Sequence, residues 1–133
     1  MPMTSYLRKA LGDESIGKAA FSQPAAVYLA LFTSSPGDAG SLTGEVSGGS
    51  YARQDITAAL SSFNLATGIA SNTLAVDFPN PTGNWGTITY AGIIDAASGG
   101  NVLYYEALPN ARAVVSGGRH VQFAVGALQI RII

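Results

Sequence analysis

The stretch Trp85 to Ala107 reads WGTITYAGIIDAASGGNVLYYEA, and it restricts the fold more than any other part of the chain. Its first part is a run of β-branched, aromatic and glycine residues, which suit a pleated, packed surface and make a poor helix. Ala-Ala-Ser-Gly-Gly has turn chemistry and NVLYYEA returns as a second strand, so the stretch predicts a long hairpin. Ile88, Tyr90 and Ile94 are predicted on one face, and Trp85, Ala91 and Ile93 on the other. Both faces are therefore apolar. In a chain of 133 residues, one face is expected to be core. Part of the other is expected to meet an N-terminal helix or a neighbouring subunit.

The flanking segments are read around this hairpin. Thr4 or Ser5 is a candidate cap for a short helix from Tyr6 to Leu11, resuming from Ile16 to Phe21, although Gly12 and Gly17 weaken it. Ala25 to Thr33 predicts a strand apolar on both sides, which needs cover on both sides. Ser34 to Gly49 is a polar loop whose glycine and proline content opposes regular structure. Tyr51 to Leu60 predicts a strand with Arg53 and Asp55 on one face, a pairing open to those two residues. From Asn72 to Phe78, the residues Leu74, Val76 and Phe78 alternate with Ala75 and Asp77, the pattern of a strand with one buried face. Leu108 to Ala111 reads as a turn at Pro109 and Arg112 to Val115 as a short strand. Val121, Phe123 and Val125, then Leu128, Ile130 and Ile132, alternate with other residues to the end of the chain.

This gives an all-β fold of about eight strands, mostly antiparallel. A β-sandwich with a short N-terminal helix is the simplest architecture, and a small β-barrel is the structural rival. The expected organisation is a single domain over 1–133, with an N-terminal helix or arm over 1–22. The β-sandwich core covers 23–133 and carries the long loop 34–49.

Chemistry-bearing groups are sparse. Charged residues make up 11% of the chain and the formal net charge is -1, against roughly 25% charged residues in an ordinary soluble domain. That balance leaves little field to attract nucleic acid or an acidic membrane. It favours a protein that gives part of its surface to an assembly. Cysteine is absent, which excludes disulfides and cysteine-ligated metals. Asp38 and Glu45 in the long loop are too few, and wrongly spaced, for a calcium loop. No catalytic residue, metal ligand or cofactor site is predicted. His120 is the only histidine; acid–base work would need a partner such as Asp95 or Glu106, and a packing or solvated role is the simpler reading. The N-terminal MPMTSYLRKALGDESIG lacks the apolar run of a signal peptide, and no run is long enough to span a bilayer.

Aromatic residues carry the remaining signal. Tyr104 and Tyr105 are adjacent and so face opposite sides of a strand. A rigid ring gives contact area at low entropic cost, so exposed aromatics favour interfaces, and the same residues can serve a sugar platform. The candidate interface residues are Tyr6, Leu7, Tyr28, Phe32, Tyr51, Arg53, Trp85, Tyr90, Tyr104, Tyr105 and Ile133.

The succession AVYLALFTSSPGDAG, EVSGGSYARQDIT and DFPNPTGNWGTITYAGIIDAASGGNVLYYEAL resembles a family of small tailed-bacteriophage virion proteins, often labelled tail-fibre or minor structural proteins. The likeness spans residues 5–132 and is most specific in EVSGGSYARQ and WGTITYAGIIDAASGGNVLYY. It departs at the C-terminus, where Arg131-Ile132-Ile133 replaces the acidic tail of the family, and this apolar end is expected to be buried. The resemblance implies a non-enzymatic structural protein of the virion, made in the cytoplasm of a bacterial host, with no cofactor. The chain has no shaft repeat, which favours a capsid decoration or cement protein that bridges capsid subunits. Its expected partners are then the major capsid protein and copies of itself, as a homotrimer. The first alternative is a tail-fibre, tail-tip or adaptor module with tail or fibre proteins as partners. The second is a carbohydrate-binding β-sandwich.

Overall fold

The β-branched runs do become strands, and the glycine clusters between them become turns. The computed structural model describes residues 1–131. It contains one helix, α1 (Ser5–Ser15), and eight strands: β1 (Tyr28–Phe32), β2 (Gln54–Asp55), β3 (Ile69–Ser71), β4 (Val76–Asp77), β5 (Gly86–Ile94), β6 (Val102–Val114), β7 (Gln122–Phe123) and β8 (Gln129–Arg131). A four-stranded sheet has the order β2-β1-β5-β6, and β3-β8 and β4-β7 form two two-stranded sheets. All pairings are antiparallel. The fold is an all-β sandwich with no closed barrel among the described residues.

The main core lies between the two layers. Leu29, Leu31, Ile88, Ala91 and Ile93 come from the four-stranded sheet, and Ala70, Val76, Phe78, Val121, Leu128 and Ile130 from the segments opposite. A second cluster occupies the other face of the large sheet: Ala30, Phe32, Ile94 and Val102, with Leu42, Tyr90 and Tyr105 packed on it. The expectation that both hairpin faces need cover is met within the chain. Loop 34–49 contributes Leu42 to the second face. Thr4 at the start of α1 is fully buried, and its hydroxyl donates to the Val102 carbonyl at 2.6 Å. Met3 pairs antiparallel with Tyr104, flanked by hydrogen bonds from Thr4 N to Leu103 O and from Tyr105 N to Pro2 O. The N-terminal segment thus closes the start of the β6 edge, which would otherwise expose unpaired backbone groups.

Several segments differ from the sequence-based expectation, each for a local reason. The helix is continuous from Ser5 to Ser15 and does not resume at Ile16, because Gly17 enters the left-handed region at φ 74° and stops it. Tyr51 to Leu60 contributes only Gln54–Asp55 to a sheet; the Asp55 carboxylate accepts from the Thr57 amide and hydroxyl and turns the chain. Leu74 is exposed. Buried Asn72 donates to the carbonyls of both Leu74 and Ala124 and accepts from the Leu128 amide, bending the chain before Val76.

Leu108–Ala111 is not a turn. It lies within β6 as a bulge: the register jumps from Tyr90↔Ala107 to Ile88↔Arg112, leaving four β6 residues opposite Thr89. The segment predicted as a separate strand from Arg112 therefore continues β6. The same irregularity puts Ile88 into the main core with Ala91 and Ile93, not beside Tyr90 and Ile94. The predicted alternation through Ile132 and the buried C-terminal end at Ile133 lie outside the described residues.

Candidate functional site

The two sequence pieces that carry the family likeness, Glu45–Gln54 and Trp85–Tyr105, meet in space. Gly48, Gly49 and Ser50 all take positive φ, which folds EVSGGSYARQ back on itself. Gly49 then lies against Gly83, and its carbonyl accepts from the Trp85 indole nitrogen at 2.9 Å and from the Thr82 amide at 3.0 Å. The Tyr51 ring stacks on Phe78 at 6.1 Å and meets Trp85 edge-on at 5.4 Å.

An ion pair completes this junction. The Arg53 guanidinium binds both Glu45 carboxylate oxygens, Nε to Oε2 at 2.7 Å and Nη2 to Oε1 at 2.6 Å. Its Nη1 donates to the Ala96 and Gly99 carbonyls in the hairpin turn at 2.7 and 2.8 Å. The Tyr51 hydroxyl donates to Glu45 and accepts from the Leu31 amide. The side chains of Arg53 and Glu45 are only 5% and 14% exposed. Hydrogen bonding to Glu45 raises the Arg53 pKa further, against the opposing effect of burial. One guanidinium therefore joins the long loop to the hairpin turn, and the Tyr51 hydroxyl ties the same carboxylate to β1. The partner of Arg53 is Glu45, not Asp55.

Burial holds the Tyr51 phenol well above its ordinary value, with the Glu45 carboxylate adding to the shift and the Leu31 amide opposing it. The folded protein keeps this proton where the unfolded chain loses it, so stability must fall as pH rises above the ordinary tyrosine pKa of about 10. Urea unfolding between about pH 8 and about pH 11 will show that decline, and Tyr51→Phe will flatten it while costing about 1–2 kcal/mol at neutral pH, because the Leu31 amide and Glu45 lose their partner. An unchanged alkaline slope in the variant would refute this role for Tyr51.

The other candidate residues divide by burial. Leu7, Phe32 and Trp85 are buried within the chain itself. Tyr28, Tyr90, Tyr104 and Tyr105 are half-buried, and Tyr6 is exposed on α1. Ile133 lies outside the described residues. Asp38 and Glu45, weighed above as calcium ligands, each face an arginine: Asp38 binds Arg8 and Glu45 binds Arg53. The partner of His120 is Asp77, 3.4 Å from Nε2, with both side chains about half exposed. Asp95 instead accepts from the Asn101 amide and side chain in the hairpin turn.

The reading from sequence passed over one surface feature. A cleft of about 600 Å³ opens between the end of β6 and the segment 118–122, lined by Asn80, Arg112, Arg119, His120 and Gln122 among others. No tyrosine or tryptophan lines it. Arg112 and Arg119 are seven residues apart across Ser-Gly-Gly, and a glycine turn between two basic residues was the available signal.

The family model described as "Podophage GP4 fiber I protein gp80" matches residues 2–131. A search of curated proteins gives no match.

Proposed function

The chain belongs to the podophage GP4 fiber I protein gp80 family, and on that footing we propose that it is a subunit of the fibre apparatus of a tailed-phage virion. The family membership supports a structural, non-enzymatic role in the virion. The observation that carries the finer reading is the match over residues 2–131 to a protein described as a fibre component. It favours the tail-fibre alternative over the head decoration that the missing shaft repeat suggested.

The geometry supports a part that works by presenting a stiff surface. The backbone-spanning Arg53 network and the glycine contact at Gly49 hold loop 34–49 and the hairpin turn rigidly. A preorganised surface loses little conformational freedom on docking. In this reading the partners are fibre or tail proteins; the homotrimer expected above belongs to the head-decoration reading. Exposed apolar side chains, Ile16, Phe63, Leu65 and Val125 among them, are available for such contacts.

Location and copy number in the particle test the proposal. Quantitative mass spectrometry of purified virions, with cryo-electron microscopy to trace the chain, should find a small number of copies on the tail or its fibres. Hundreds of copies spread over the capsid would overturn the fibre reading in favour of head decoration. Virions lacking the protein should keep heat-resistant heads and lose adsorption.

A further inference from the structure

We propose that the cleft at the end of β6 binds a saccharide carrying a phosphate or carboxylate group. The inference does not depend on where the protein sits in the virion.

The argument begins with the distribution of charge. The chain has seven lysines and arginines. Arg8, Lys9 and Arg53 each pair with a carboxylate. Among the described residues no carboxylate pairs with Arg112 or Arg119, and both line the same cleft. Two cations along one cleft raise the local potential and favour an anionic ligand there. His120 sits at the same wall, with Asp77 as its neighbour.

Arg112 is also held in place. Its Nη2 donates to the Arg119 carbonyl at 3.1 Å and to the His120 carbonyl at 3.0 Å. Those bonds fix the guanidinium plane and tie the end of β6 to segment 118–122. They leave Nε and Nη1 as donors without a protein partner among the described residues. Guanidinium groups bind oxyanions through short, charge-assisted hydrogen bonds.

The remaining lining selects the rest of the ligand. Asn80 and Gln122 offer amide donors and acceptors suited to hydroxyl groups. Tyr and Trp are absent from the lining and the His120 imidazole is its only aromatic ring, so the polar substituents of a ligand, more than a flat face, meet the wall. A volume of about 600 Å³ suits a ligand of monosaccharide to disaccharide size. Cationic side chains for the anion and amides for the hydroxyls together describe an acidic or phosphorylated sugar.

Titration calorimetry of the whole chain with glucose 6-phosphate, glucuronate, inorganic phosphate and glucose tests this. The expected result is saturable binding of one or both anionic sugars at low ionic strength, with glucose silent. Arg119→Gln should weaken it by about tenfold or more, and added salt near 1 M, where the Debye length is about 3 Å, should weaken it further. Arg119 is exposed and bonds Arg112 through its backbone carbonyl, not its side chain, so this variant is expected to melt like the parent. Lys18→Gln removes a cation outside the cleft and should leave binding intact. No saturable binding of either anionic sugar up to about 10 mM, a range reaching a free energy of about −3 kcal/mol, would overturn the proposal. So would equal losses in Arg119→Gln and Lys18→Gln, or inorganic phosphate binding as tightly as glucose 6-phosphate.

Discussion

Arg53→Ala will destabilise the protein by about 3 kcal/mol, lowering its urea midpoint by about 1–2 M with little change in slope. The size follows from what the guanidinium holds. It makes two bonds to Glu45 and two to the hairpin-turn carbonyls of Ala96 and Gly99. Alanine leaves the Glu45 carboxylate, 14% exposed with Arg53 in place, with only the Tyr51 hydroxyl as donor, and frees both carbonyls. Breaking one side of a buried pair typically costs about 3–5 kcal/mol. Partial solvent access to the turn carbonyls, one of which belongs to exposed Gly99, places the expected loss at the low end. Against a total stability of about 5–15 kcal/mol, that is a large fraction.

The companion variants separate the causes. Arg53→Lys should recover less than half of the loss, because one ammonium cannot reproduce a planar fork aimed at two carboxylate oxygens and two carbonyls. Replacing both partners, Arg53→Met with Glu45→Leu, should cost less than Arg53→Ala alone, since no charge is then left unpaired. A loss below about 1 kcal/mol for Arg53→Ala would place the pair among ordinary surface ion pairs and refute its structural role.

The hairpin was legible because its signal is local. β-branched residues before AASGG and aromatics after it sit next to one another in the chain, and the two-sided apolar character of β5 needs no knowledge of the partner strand. The Arg53–Glu45 pair was not legible. Asp55 is two residues from Arg53 and Glu45 is eight, so proximity in sequence favours the wrong acid. Only the left-handed run at Gly48, Gly49 and Ser50 brings Glu45 back, and positive φ at a serine has no reliable sequence signal. Pro109 and Asn110 misled for a related reason. They are turn residues in isolation, but here they absorb a bulge in a strand that keeps the same partner. That bulge, formed against Thr89, also moved Ile88 to the main core. Strict alternation cannot foresee a register break created by a residue on another strand. The arginines of the cleft were visible in the sequence, yet their convergence with Asn80 and Gln122 depends on the end of β6 meeting segment 118–122.

Gly49→Ala will cost about 2–4 kcal/mol, through a left-handed backbone and a steric conflict acting together. Gly49 has φ +58°, and a Cβ there would lie 3.0 Å from the Gly83 Cα and backbone nitrogen and 2.9 Å from the Trp85 indole nitrogen. The first two atoms are backbone and cannot swing aside. Moving Trp85 would break its bond to the Gly49 carbonyl and disturb its contact with Tyr51. Two neighbouring substitutions apportion the effect. Gly48 also has positive φ, +76°, but nothing lies within 4 Å of its added Cβ, so Gly48→Ala should cost only about 1–2 kcal/mol of backbone strain. Gly83→Ala should show the converse, a close approach of 3.0 Å to the Gly49 Cα without the left-handed penalty. Trp85 is the only tryptophan, so its fluorescence reads the junction directly: Gly49→Ala should shift the emission to the red in the folded state, whereas Gly48→Ala should not. Equal costs and equal spectra for the two variants would mean that strain alone governs this turn. Unequal ones would show that EVSGGSYARQ depends on glycine for its backbone-to-backbone contact with Gly83, the approach that also seats Trp85 on the Gly49 carbonyl.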